Sequence, residues 1–101
     1  MTNSKKNLIT IEIDKRVNKD LKDIPEKDVE RIFKAIDTLL LAPESGKMLK
    51  GSLSPLRRIV VGDYRIVYVF KSQKLIIIII KIGRRKNVYE KLERLISNFE
   101  L

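Results

Sequence analysis

The apolar positions change period along the chain, and each change marks an element. From Leu8 to Ile13 apolar and polar residues alternate, the two-residue period of a half-buried strand. Val17, Leu21 and Ile24 are then spaced for one face of a short helix among charged neighbours. Pro25 interrupts them, and its fixed φ suits the opening of a second helix. Val29, Ile32, Phe33, Ile36, Leu39 and Leu40 follow at i, i+3, i+4, i+7, i+10 and i+11. That continuous helical stripe is stopped by Ala42-Pro43.

Glu44 to Pro55 holds neither period and contains Gly46 and Gly51, which predicts a loop that exposes Lys47 and Lys50. Ile59 to Val61 and Tyr64 to Phe70 predict two strands, joined at Gly62-Asp63 with glycine at the first central position of a tight turn. Lys71 to Lys74 makes the next turn. Leu75 to Ile82 is the last strand. Its apolar run, Leu75 to Ile80, is far short of the ~20 residues that span a bilayer, and it reads as a strand covered on both faces. Val88, Leu92, Leu95, Ile96 and Phe99 give a final helical stripe, with Asn87 as N-cap and Glu90 completing the capping arrangement. The order is strand, two-helix hairpin, three-stranded antiparallel meander and C-terminal helix, an α+β fold with helices packed on one face. The other face should display the side chains that point away from them. No repeat or linker divides residues 1–101, so one domain is expected.

With Gly62-Asp63 as the loop, Val61 faces Tyr64, Val60 faces Arg65 and Arg58 faces Val67. Arg58, Val60, Arg65 and Val67 therefore share a face. Arg58 and Arg65 become diagonal neighbours, ~7–8 Å apart between backbones. Tyr64 and Tyr68 fall on the opposite face and read as core. Lys47 to Arg65 holds five basic residues (Lys47, Lys50, Arg57, Arg58 and Arg65) against the single acid Asp63. Lys81, Arg84, Arg85 and Lys86 form a second basic cluster where the last strand meets the last helix. A helix N-terminus there favours anions, and Tyr89 stands in its first turn. Arg57 or Arg58 alone is equally well a solvated charge guarding a strand edge. The convergence of two segments favours a phosphate site.

Composition sharpens this picture. The chain carries 22 Lys and Arg against 13 Asp and Glu, with no His and no Cys. Residues 41–101 hold 13 basic and 5 acidic residues, whereas residues 1–40 hold 9 and 8. A basic half implies either a polyanion partner, with RNA or DNA ahead of a membrane surface, or simply a basic soluble surface. Without His or Cys there is no imidazole base, thiolate nucleophile or zinc-thiolate site. Catalysis, if any, falls to Arg, Lys, Tyr, Asp, Glu or Ser. The basic half lacks clustered carboxylates, so no metal is expected, nor any other cofactor. A polar start without a signal pattern implies a cytoplasmic protein and no membrane partner.

Leu49-Lys50-Gly51, Val61-Gly62-Asp63-Tyr64-Arg65-Ile66-Val67-Tyr68 and Gly83-Arg84-Arg85-Lys86-Asn87-Val88-Tyr89 together resemble the RelE/ParE superfamily of bacterial and archaeal toxins. The resemblance runs over nearly the whole chain and implies the same fold. RelE-like members cleave messenger RNA in the ribosomal A site and are silenced by a cognate antitoxin; ParE-like members poison DNA gyrase and do no RNA chemistry. Carried over by motif, the resemblance implies catalytic roles for Arg58, Arg65, Arg85 and Tyr89. Lys47, Lys50, Arg57, Lys81, Arg84 and Lys86 would bind RNA around them. Arg57 stands where the family often has Tyr, Val60 where it often has a second basic residue, and Arg84 where it has His or Lys. Retention of the four catalytic positions favours the RelE branch. The implied function is a ribosome-dependent endoribonuclease toxin with antitoxin, ribosome and mRNA as partners. Its alternatives are a gyrase-binding toxin and a member that only binds RNA or its antitoxin.

The chemistry would draw on RNA's own nucleophile. A 2′-hydroxyl attacks the adjacent phosphorus while the protein aligns the groups and stabilises the developing charge. Arg65 and Arg85 suit that second task, because guanidinium forks match phosphate oxygens and stay charged. Arg58 does the same or positions the backbone. Tyr89 orients the 2′-hydroxyl, takes part in proton transfer or stacks on a base.

Overall fold

A computed structural model describes residues 8–85, 88–89 and 92–96. The elements are β1 (Thr10–Ile13), α1 (Val17–Lys22), α2 (Glu26–Thr38), β2 (Lys47–Met48), a 3₁₀ turn (Gly51–Leu53), β3 (Arg57–Val61), β4 (Tyr64–Lys71), β5 (Ile76–Arg84) and α3 (Leu92–Ile96). The strands form one five-stranded sheet in the order β1-β5-β4-β3-β2. β1 lies parallel to β5, and the other neighbours pair antiparallel. The fold is α+β, as the element order predicts.

α1 and α2 cover one face. Val17, Ile32, Ile36 and Leu39 pack on Tyr64, Ile66, Tyr68, Ile77, Ile79 and Ile82 of the sheet. Pro25 sits just before α2 rather than in its first turn, and its carbonyl accepts the Asp28 and Val29 N–H groups. Glu26 and Asp28 in the first turn face the positive end of the helix dipole. The helix closes at Thr38, earlier than the Ala42-Pro43 stop. Both Leu41 and Ala42 donate to the Thr38 carbonyl, so the chain tightens into turns while Leu39 still reaches the core.

The second face is not open, contrary to the expectation of helices on one side. Val67, Val69 and Ile80 are covered by Leu49, Leu56, Val88 and Leu92, with Leu53 and Leu95 beside them. A helix as short as the described part of α3 is marginal by itself. Fully burying a side chain such as Leu92 contributes roughly 1.5–3 kcal/mol, so packing holds α3 in place. The apolar run of β5 is thus served from both sides, Ile77 and Ile79 by α1 and α2, Ile80 by α3. One extra residue on β5 makes this possible. Val67 pairs with Lys81 and Tyr68 with Ile79, leaving Ile80 as a bulge. The expected cap at Asn87, Glu90 and the stripe residue Phe99 lie outside the described residues.

The loop expected from Glu44 to Pro55 contains β2, a fifth strand that the sequence does not announce. Two residues show no alternation. β2 is made by its surroundings: the Tyr68 hydroxyl accepts the Gly46 N–H at 2.9 Å and donates to the Pro43 carbonyl at 2.8 Å. Those bonds press the segment before β2 against the sheet. Burial raises the Tyr68 pKa above its ordinary value of 10.0.

Candidate functional site

The β3–β4 turn sets the site. Gly62 has a φ of +57°, a conformation that costs other residues energy, and this fixes a two-residue turn. The resulting register pairs Val61 with Tyr64, Val60 with Arg65 and Arg58 with Val67, as the turn placement predicts. β2 adds Lys47 directly opposite Arg58, and β5 adds Gly83 directly opposite Arg65. One sheet face thus carries a row Lys47–Arg58–Val67 and, next to it, a row Val60–Arg65–Gly83.

The chain folds back over this face beside Gly83. A Cβ there would lie 3.6 Å from Val88 Cα, an ordinary contact distance, so Val88 packs directly on this position. The returning segment is tied down twice, by Arg85 N–H to the Asp63 carbonyl at 3.1 Å and by Val88 N–H to the Arg84 carbonyl at 2.9 Å. The return brings Tyr89 onto Arg58, whose Nη1 donates to the Tyr89 hydroxyl at 2.8 Å. Residues 31 positions apart therefore meet, both half-buried.

Arg65 is half-buried on the same face, and its Nη1 makes only long bonds to the carbonyls of Tyr64 and Gly62, at 3.3 and 3.4 Å. Arg85 is exposed, its backbone anchored at the turn that precedes Arg65. Among the described residues, no carboxylate lies within 4.0 Å of Arg58, Arg65, Arg85, Lys47 or Lys50. Lys47, Lys50 and Arg58 line a hollow of about 150 Å³ with Met48 and Leu49. Permanent cations that lack internal counter-ions offer donors to an anion.

Three basic residues expected beside them stand elsewhere. Arg57 shares the Tyr68 face, where its guanidinium donates to the carbonyls of Glu44 and Gly46 at 3.0 and 2.9 Å and lies 3.9 Å from the Glu44 carboxylate. It holds the loop before β2. Arg84 pairs with Tyr64, also on that face; it lies 5.3 Å from the Tyr64 ring centre and bonds the hydroxyl at 3.5 Å. Lys81 is taken up by Asp20 at 2.9 Å, while the other Asp20 oxygen accepts the Ile82 N–H at 3.2 Å. Lys86 lies outside the described residues. The sequence reading missed the direct Arg58–Tyr89 bond and the β2 pairing that brings Lys47 in. Nothing local signals either.

A family model for the ParE toxin of type II toxin–antitoxin systems, parDE, matches residues 11–89. RelE1 of Methanocaldococcus jannaschii is 40% identical over 85 residues, spanning 79% of this chain and 93% of that protein. The chain belongs to the RelE/ParE toxin superfamily. Its fold matches the E. coli toxin RelE in the free state, an arginine-to-alanine double variant, at a TM-score of 0.74 with 20% identity over 92% of this chain and 99% of that one. It also matches the archaeal RelE–RelB complex from Pyrococcus horikoshii at a TM-score of 0.66, with 27% identity over 80% and 99% of the two chains. The protein is therefore a RelE-like toxin of a type II toxin–antitoxin system. No helix among its described residues is long and apolar enough to cross a membrane.

Proposed function

We propose that this RelE-like toxin is a ribosome-dependent endoribonuclease, acting in the cytoplasm as a single domain to cut mRNA and block translation. The observation that carries the proposal is the 2.8 Å Arg58–Tyr89 bond on the face that also holds Arg65, with no described carboxylate claiming either arginine. In the reaction, the 2′ oxygen gives up its proton to a base and bonds to the adjacent phosphorus. The P–O5′ bond breaks, and the 5′ oxygen takes up a proton. The ends are a 2′,3′-cyclic phosphate and a 5′-hydroxyl. Arg65 and Arg85 donate to the non-bridging oxygens, where charge develops. The Tyr89 oxygen already accepts from Arg58, so its own O–H is left to donate to a reacting oxygen. The ribosome positions the message, and a cognate antitoxin holds the protein inactive, a pairing supported by the likeness to the toxin in the intact E. coli RelBE toxin–antitoxin complex.

Two features favour a second reading, a ParE-like toxin that inhibits DNA gyrase by binding. The matching family model is named for ParE, and Val60, 54% exposed, supplies no charge between Arg58 and Arg65. Primer-extension mapping of transcripts after brief induction separates the two. In-frame cuts within translated codons support the nuclease; intact transcripts with stalled DNA replication support the gyrase inhibitor.

A further inference from the structure

The cover of β5 runs out just where the strand heads for the site. β1 lies beside it only as far as the Ile13–Ile79 pair, and the Asp14 N–H makes the last bond, to the Ile79 carbonyl at 3.0 Å. The next residue, Ile80, is the bulge that interrupts the β4 ladder. There β5 has lost its neighbour on one side and its regular bonds on the other. Two residues on, the Ile82 N–H is accepted by an Asp20 carboxylate oxygen at 3.2 Å. The other Asp20 oxygen takes the Lys81 ammonium at 2.9 Å, and the Asp20 side chain is only 13% exposed. α1 holds Asp20 firmly, because its first residue Val17 is fully buried in the core and donates to the Asp14 carbonyl at 2.9 Å. Lys81 pairs with Val67 and so starts on the face of Arg58, but Asp20 draws its ammonium away from the Lys47–Arg58 row.

From this we infer that Asp20 is a positioning residue for the site on the far face: its bond to the Ile82 N–H aims the end of β5, and with it Arg85 and Tyr89. The path is short. Ile82 is followed by Gly83 and Arg84, which pair with Arg65 and Tyr64, and then by Arg85, whose N–H bonds the Asp63 carbonyl. The Val88 N–H closes back on the Arg84 carbonyl, and Tyr89 comes next, its hydroxyl accepting from Arg58. A shift at Ile82 is therefore passed through the backbone to a guanidinium and a hydroxyl that meet the same phosphate in the proposed reaction. Displacing such groups by about 1 Å costs up to ~10²-fold in rate. Asp20 itself touches no substrate, since α1 covers the opposite face. That Arg85 and Tyr89 act on RNA rests on the nuclease reading; that Asp20 places them does not.

The test compares Asp20→Ala, Asp20→Asn and Asp23→Asn with wild type, in cleavage of ribosome-bound mRNA and in amide hydrogen exchange. Circular dichroism and thermal melts set a temperature at which all four are folded. Asp20→Ala should lower kcat ~10–100-fold with KM within about twofold, as alignment is lost and binding is not. Asp20→Asn keeps an oxygen for the Ile82 N–H and should recover to within about threefold of wild type. Asp23→Asn removes the same charge at the end of α1 and should cut like wild type. In Asp20→Ala the Arg85 and Val88 amides should exchange ~10-fold faster relative to those of α2. An Asp20→Ala protein that only melts lower, with kcat unchanged and no such excess exchange, makes the carboxylate merely structural and overturns the proposal. A rise in KM at constant kcat overturns it too, as does an equal loss from Asp23→Asn. Asp20→Asn as slow as Asp20→Ala also overturns it, by putting the effect in the Lys81 charge rather than the backbone bond. If wild type leaves ribosome-bound mRNA uncut, the nuclease reading falls; excess exchange at Arg85 and Val88 then upholds the positioning role, and its absence overturns it.

Discussion

Gly46→Ala tests how the loop before β2 is held. The added methyl carbon would lie 2.6 Å from the Tyr68 hydroxyl oxygen, 2.7 Å from its ring carbon Cε1 and 2.8 Å from the Arg58 carbonyl. All three contacts are far inside van der Waals separation, and the last is to sheet backbone, which cannot swing aside. Overpacking of this kind costs ~1–3 kcal/mol. Moving the segment to relieve it also stretches the Gly46–Tyr68 hydrogen bond, worth ~1 kcal/mol. The sum is ~2–4 kcal/mol, and at ~4–8 °C per kcal/mol for a domain near this size Tm should fall by ~8–32 °C. Adding Tyr68→Phe should rescue only part of the loss, because the clashes with Cε1 and the Arg58 carbonyl remain. The assay is thermal and urea denaturation of the three variants beside wild type. A Gly46→Ala protein within ~0.5 kcal/mol of wild type, the ordinary range for a surface change, would refute the packing described for this loop.

Arg65→Ala and Arg85→Ala should each slow cleavage of ribosome-bound mRNA by ~10²–10³, the usual loss for one preorganised charge donor, with little change in Tm. Arg57→Ala should cut RNA far better than either but melt lower, since its guanidinium holds the loop carbonyls. Tyr89→Phe and Tyr89→Ala should be equally slow if the hydroxyl held by Arg58 takes part in proton transfer; a fast Tyr89→Phe protein would leave the ring with stacking alone. Burial raises the Tyr68 pKa in the fold, so the neutral hydroxyl is favoured there. The stability this gives is complete below about pH 10 and lost as pH rises from there through the higher folded value. Urea midpoints should accordingly fall more steeply above pH 10 for wild type than for Tyr68→Phe, and parallel curves would contradict the assignment.

Most of the fold is legible where local chemistry leaves one choice. Gly62-Asp63 fixes a two-residue turn, and from it the whole β3–β4 register and the shared face of Arg58 and Arg65 follow. The α2 stripe likewise names Ile32, Ile36 and Leu39 as core. What escapes the sequence depends on distant partners. The stripe of the last helix shows that one side is buried but not against which sheet face, and α3 covers the face expected to be open. β2 exists because Tyr68 and Arg57 reach back to Gly46, so its own two residues carry no signal. Basic residues are the least legible part of the site. Arg57 and Arg58 are adjacent, yet strand alternation sends one to the loop carbonyls and the other to Tyr89. Lys81 finds its carboxylate in Asp20, 61 residues away, which charge counting alone does not foresee.

The central claim is that this chain cuts RNA with the RNA's own 2′-hydroxyl, under charge supplied by Arg65 and Arg85. Translating ribosomes carrying a defined message in the A site, with and without a single 2′-deoxynucleotide on the 5′ side of the cut position, test it most directly. The account predicts cleavage of the all-ribose message to a 2′,3′-cyclic phosphate end and no cleavage at the deoxy position. Equal cutting of both messages, or no cutting of either by the folded wild-type protein, would contradict it.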